Sequence, residues 1–148
     1  MQRKQLDFIK LWAKRKTRKP LIIRGARQVG KTTLVRLACA EMGLELIELN
    51  MEDVQDFLPL VPQNDPVKVF EAIALSRGIT RLDPENQLFF FDEAQEAPGL
   101  IPFLRYCHER APEFRVILTG SLLDFVLLAE DFSFPVGRVE YLYLGPMT

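Results

Sequence analysis

Between the apolar run Pro20-Leu21-Ile22-Ile23-Arg24 and a helically spaced set at Leu34, Leu37, Ala38 and Met42 stand Gly25-Ala26-Arg27-Gln28-Val29-Gly30-Lys31-Thr32. The pattern is GxxxxGK[ST], and no other feature of the chain restricts its fold as tightly. Its glycines let the backbone curl until successive N–H groups point inward, forming a concavity for phosphate oxygens. A buried strand must enter such a loop and a helix must leave it, because the helix N-terminus brings partial positive charge to the same point. Both flanks comply. The β-branched run reads as a strand covered on both faces, and Gly43 ends the helical pattern where a left-handed cap is expected. Lys31 is then placed to reach β- and γ-phosphates, and the Thr32 hydroxyl to ligate Mg²⁺. With Thr33, these residues are the candidate phosphate-binding set.

The remaining segments alternate between strand and helix, which points to one parallel sheet with helices on both faces. Leu44 to Asn50 alternates apolar and polar residues, as a strand near an edge does. Residues 51–65 read as a loop with a short helical turn. Asp65-Pro66 reads as an N-cap with proline at the first helical position, and Gly78 as the end of that helix. Leu88-Phe89-Phe90-Phe91 is a central strand, followed by a helix over 99–109 with Leu100, Phe103, Leu104 and Cys107 inward. Arg115 to Thr119 is a further strand, Ser121 opens a short helix with Asp124, and Arg138 to Leu144 is the last strand.

Asp92 and Glu93 end the central apolar run, where strand C-termini of open α/β sheets meet ligand. Asp92 is suited to hold Mg²⁺, directly or through water. Glu93 sits where the backbone turns, so it can face a γ-phosphate and polarise an attacking water. Gln95 is either an aid to that water or a loop-surface amide.

Composition sets the bounds. With 148 residues, 48% hydrophobic and 26% charged, the chain suits one soluble domain over residues 1–148. No apolar run is long enough to span a membrane and no signal peptide is visible. Cys39 and Cys107 lack paired spacing and read as reduced core residues of a cytoplasmic protein. Cys107-His108 has no second cluster to complete a metal site, and His108 reads as a helix-surface residue. Net charge is −1, yet residues 1–19 hold eight Lys or Arg against Asp7 alone. That segment is either a basic arm for nucleic-acid phosphates or an acidic partner, or the solvated face of a helix that buries Leu6, Phe8, Ile9 and Trp12.

With these residues in view, the chain resembles the additional-strand branch of P-loop ATPases. More narrowly it resembles the N-terminal AAA-like domain of a bacterial and archaeal ATPase family that carries a C-terminal domain of unknown function. The resemblance rests on Lys19 to Thr33, Leu49-Asn50, Phe90 to Gln95, Ile117 to Ser121 and Gly137 to Glu140. It implies a three-layer α/β sandwich with strand order 5-1-4-3-2, a Walker A motif at 25–32 and a Walker B motif at 88–93. It also implies ATP rather than GTP, and a polar sensor filled by Thr119 or Ser121. Arg138 falls where relatives place an arginine that reaches a neighbouring subunit's nucleotide, implying a homo-oligomer; an ion pair with Glu140 is the competing role. Relatives continue past residue 148, so the resemblance implies that their C-terminal region is missing here, and that turnover depends on that region or on a partner.

Three functions follow as expectations. The first is Mg²⁺-dependent ATP hydrolysis, with Glu93, Lys31, Thr119 and Arg138 as catalytic residues and Thr32 and Asp92 at the metal. The second is an ATP-binding switch or interaction module with little hydrolysis, open to association with nucleic acid. The third is a small-molecule kinase, which Glu93 disfavours because a water-activating carboxylate would waste ATP.

Overall fold

Side chains alternate between the two faces of each strand, and in the three central strands of this chain both sets are largely apolar. The computed structural model describes residues 3–25, 30–53, 59, 61, 65–120, 137 and 139–144. Its strands are β1 (Leu21–Gly25), β2 (Glu45–Asn50), β3 (Gln87–Asp92), β4 (Arg115–Thr119) and β5 (Glu140–Leu144). Its α-helices are α1 (Arg3–Lys14), α2 (Lys31–Met42), α3 (Pro66–Ser76) and α4 (Leu100–Arg110). The strands form one sheet in the order β2-β3-β4-β1-β5, every neighbouring pair parallel. From the other edge this is 5-1-4-3-2, the order that the resemblance implies.

Phe89 and Phe91 of β3 join Ile22, Ile47, Leu49, Val116 and Leu118 beneath α3 and α4. Leu88 and Phe90 join Leu21, Ile23 and Ile117 on the other face, beneath α1 and α2. Helices on both sides explain why the interiors of β3 and β4, residues 88–91 and 116–118, are unbroken apolar runs. Phe70 of α3 anchors the first face: its ring centroid lies 4.6 Å from those of both Phe89 and Phe114, within the range where aromatic pairs gain beyond their area.

The basic N-terminal segment is helix α1, whose Leu6, Ile9, Trp12 and Ala13 are buried while Phe8 packs against the same cluster. Trp12 Nε1 donates to the Lys19 carbonyl at 2.7 Å, satisfying the indole and fixing the turn into β1. At α2 the Gly43 cap has φ 68°, and Leu44 N donates to Cys39 O at 3.0 Å, a left-handed exit that a side chain would strain. Asp65 caps α3 by accepting from Lys68 N, with Pro66 at the first helical position. α4 runs one residue beyond the expected end, and β2 and β5 start one and two residues later than expected, within the usual fraying of element ends. The short helix expected at Ser121 lies outside the described residues. Among the described residues no helix is long and apolar enough to cross a membrane.

Candidate functional site

The parallel register brings the C-terminal ends of four strands to one edge. Asn50 pairs with Asp92, Phe91 with Leu118, and Ile23 with Thr119. Gly25 ends β1 at this edge, and Gly30, at φ 80°, delivers the chain into α2. Ala26, Arg27, Gln28, Val29 and Arg138 lie outside the described residues.

Asp92 is the hub. Its Oδ2 accepts from the Thr32 hydroxyl at 3.1 Å, and its Oδ1 accepts from the Thr119 hydroxyl at 2.7 Å and from Glu93 N at 2.9 Å. Thr32 stands on the first turn of α2 and fully buried Thr119 at the tip of β4. Two separate elements, α2 and β4, therefore converge on the carboxylate that ends β3. Bonds to an ionised acceptor are roughly twice as strong as neutral ones, so this contact fixes the start of α2 against the sheet.

Lys31 is buried at 8% exposure, and its ammonium donates to Gly25 O at 2.7 Å and Gly120 O at 3.2 Å. β1 and β4 are neighbours, so these carbonyls hold the charge between two strand tips, at the mouth of the loop. Thr33 is exposed on the same first turn.

Glu93 is the one described non-glycine residue with positive φ, at 53°. Such a conformation is uncommon for a side chain with a Cβ and clusters at functional sites. It turns the chain out of β3 and into the short 3-10 turn Ala94–Glu96. Gln95 Nε2 donates to Glu93 Oε2 at 2.6 Å, so the amide orients that carboxylate.

Sequence reasoning did not single out Glu52. Its carboxyl is held above the ordinary carboxylate range by partial desolvation, then by the charges of Glu93, Glu96 and Asp53. It also missed the Gly120 carbonyl as a Lys31 acceptor. Neither carries a signal in sequence, since each depends on how separate strand tips meet. The competing partner for Arg138, Glu140, is paired with Arg15 at 2.8 Å.

A family model described as an AAA domain matches residues 17–148, which is most of the chain. The chain belongs to this AAA domain family. This AAA domain is 44% identical over 54 residues to the replication factor C large subunit of Pyrobaculum arsenaticum, spanning 13% of that protein. Its fold is similar to that of a Walker-type ATPase of Pyrococcus abyssi, with a TM-score of 0.59 at 19% identity, covering 99% of this chain and 54% of that one. The AAA domain thus spans about half the length of the solved structure and a small part of the curated relative.

Proposed function

We propose that this AAA domain binds ATP and hydrolyses it with Mg²⁺, through Walker A residues 25–32 and Walker B residues 88–93. The convergence of Thr32, Thr119 and Glu93 N on Asp92 carries the reading. A hydroxyl and a carboxylate 3.1 Å apart beside the loop are hard oxygen donors of the kind Mg²⁺ takes when phosphate and water supply the rest. When bound there, Mg²⁺ neutralises charge on the β- and γ-phosphates. Lys31 and the amides of residues 25 to 33 hold the phosphates. Thr119 orients the attacking water or the γ-phosphate, and Glu93 draws a proton from that water, with Gln95 steering its carboxylate. Little covalent chemistry is asked of the protein; charge and position supply the rate.

Arg138 enters as a group offered to the nucleotide of a neighbouring copy, where an arginine of this kind accounts for roughly 10³–10⁵ in rate. Nucleic acid held by the basic face of α1 is part of the same proposal, as is a cytoplasmic setting that keeps Cys39 and Cys107 reduced. A second reading, a switch that binds ATP and turns it over slowly, draws on the Gln95 bond, which occupies one oxygen of the Glu93 carboxylate.

The deciding experiment is calorimetric titration with ATP and GTP, each with and without Mg²⁺, beside phosphate release. Lys31→Ala should weaken ATP binding roughly 10–100-fold, the loss of one or two charge-assisted bonds. Unchanged affinity removes the phosphate loop from its role. Binding without release of phosphate moves the reading to the switch.

A further inference from the structure

At the opposite edge of the sheet, by the N-terminal ends of β3 and β4, lies a cavity of about 750 Å³, within the roughly 300–1,000 Å³ of small-molecule sites. Arg115 and Thr119 begin and end β4, so roughly 13 Å of strand separates this cavity from the candidate triphosphate site. Lys14, Lys16 and Arg81 stand exposed around it, while Arg18 and Arg115 are buried in its wall at 6% and 9% exposure.

The two buried guanidiniums are held by neutral groups. Arg18 Nη1 donates to Glu113 O at 2.7 Å and Nη2 to Arg15 O, and its Nε is buried with no partner. Arg115 donates through Nε to Ala13 O at 2.8 Å and through Nη1 to Pro84 O and Gln87 O. Among the described residues neither forms an ion pair with a carboxylate. Burial and the charge of Arg115 press the Arg18 pKa down to about 10, against the attraction of Glu113. Positive charge is thus concentrated and anchored, with Asp83, Glu85 and Glu113 near enough to attract it but none bonded to either guanidinium. Buried charges are ordinarily paired.

We propose that this cavity is a second anion site, which seats a compact phosphate group against Arg18 and Arg115 with Lys14 and Lys16 at its mouth. Planar guanidiniums fixed by backbone carbonyls are preorganised for phosphate oxygens. Asp83, Glu85 and Glu113 share the same walls. They would repel the successive phosphates of a nucleic-acid strand but leave room for one phosphate between the cations. The group is either inorganic phosphate or the monoester of a small metabolite.

The test titrates the Lys31→Ala chain, which lacks the proposed triphosphate contact, with inorganic phosphate and separately with glycerol 3-phosphate. Arginine side-chain ¹⁵Nε resonances are followed in the same samples and in the unmutated chain. Saturable binding is expected, with the Arg18 and Arg115 resonances moving. Lys14→Glu with Lys16→Glu, both at exposed positions, should weaken it at least tenfold, as should Arg18→Lys. A monoester bound tenfold more tightly than phosphate identifies an esterified ligand; equal affinity identifies the free ion. The proposal is overturned if phosphate binding disappears with Lys31→Ala while the arginine resonances of the unmutated chain stay still. It is also overturned if the paired lysine reversal leaves affinity unchanged, or if an oligonucleotide lacking terminal phosphate outcompetes both probes.

Discussion

Thr119→Val isolates the contact on which the site depends. Valine keeps the shape and branching of threonine, so β4 retains its packing and strand preference. The variant deletes the 2.7 Å bond from a fully buried hydroxyl to Asp92 Oδ1, while Oδ1 keeps its bond from Glu93 N. Hydrogen bonds to a charged group contribute about 1.5–3 kcal/mol. The added methyl returns about 0.8 kcal/mol by burial. The net loss should be about 1–2 kcal/mol, which for a domain of this size lowers Tm by roughly 2–7 °C. Urea unfolding should show a lower midpoint at constant slope. In an Asp92→Asn background the acceptor is neutral, so the same substitution should cost about 1 kcal/mol less. Equal cost in both backgrounds would refute the reasoning, because the hydroxyl would then not be bonded to the carboxylate in solution. In the proposed mechanism this variant also lowers kcat on the order of tenfold to a hundredfold with ATP affinity kept.

Glu93→Gln should keep ATP affinity and lower phosphate release by roughly 10²–10⁴-fold; equal turnover in the two proteins excludes Glu93 as the base. Phe70→Ala removes a ring packed between Phe89 and Phe114 and should cost about 3–5 kcal/mol, read as a lower urea midpoint, with a loss under 1 kcal/mol contradicting its anchoring role. Burial raises the Cys39 thiol to about 11 and the Cys107 thiol above the ordinary range. Both should therefore resist an aromatic disulfide reagent at pH 8 until the chain is unfolded, and rapid labelling of the folded protein would show that one is open to solvent. Because the unfolded thiols ionise first, their contribution to stability is full below about pH 9 and falls as pH climbs toward 11, which a series of urea midpoints will follow.

Local chemistry made much of this protein legible. The spacing of Gly25, Gly30, Lys31 and Thr32 demanded a strand before and a helix after, since a curled loop of amides needs both to hold its shape. Unbroken apolar runs at 88–91 and 116–118 demanded helices on both faces, and Gly43 and Asp65 marked helix ends through backbone conformation and capping. Other properties depend on strands meeting in space. That Thr119 bonds Asp92, that Lys31 lies between the tips of β1 and β4, and that Glu52 crowds Glu93 all follow from the parallel register, across up to 89 residues of chain. The basic segment 1–19 shows the division most plainly. Its composition admitted a free arm beside the amphipathic helix that its apolar spacing favoured, and the apolar face of α2 with the sheet beneath it decided the matter, by burying Leu6, Ile9 and Trp12. The same packing brought Arg18 beside Arg115, 97 positions apart in sequence. Charge patterning along the chain carries no trace of that meeting, because repulsion between two arginines becomes visible only where the fold has removed the water between them.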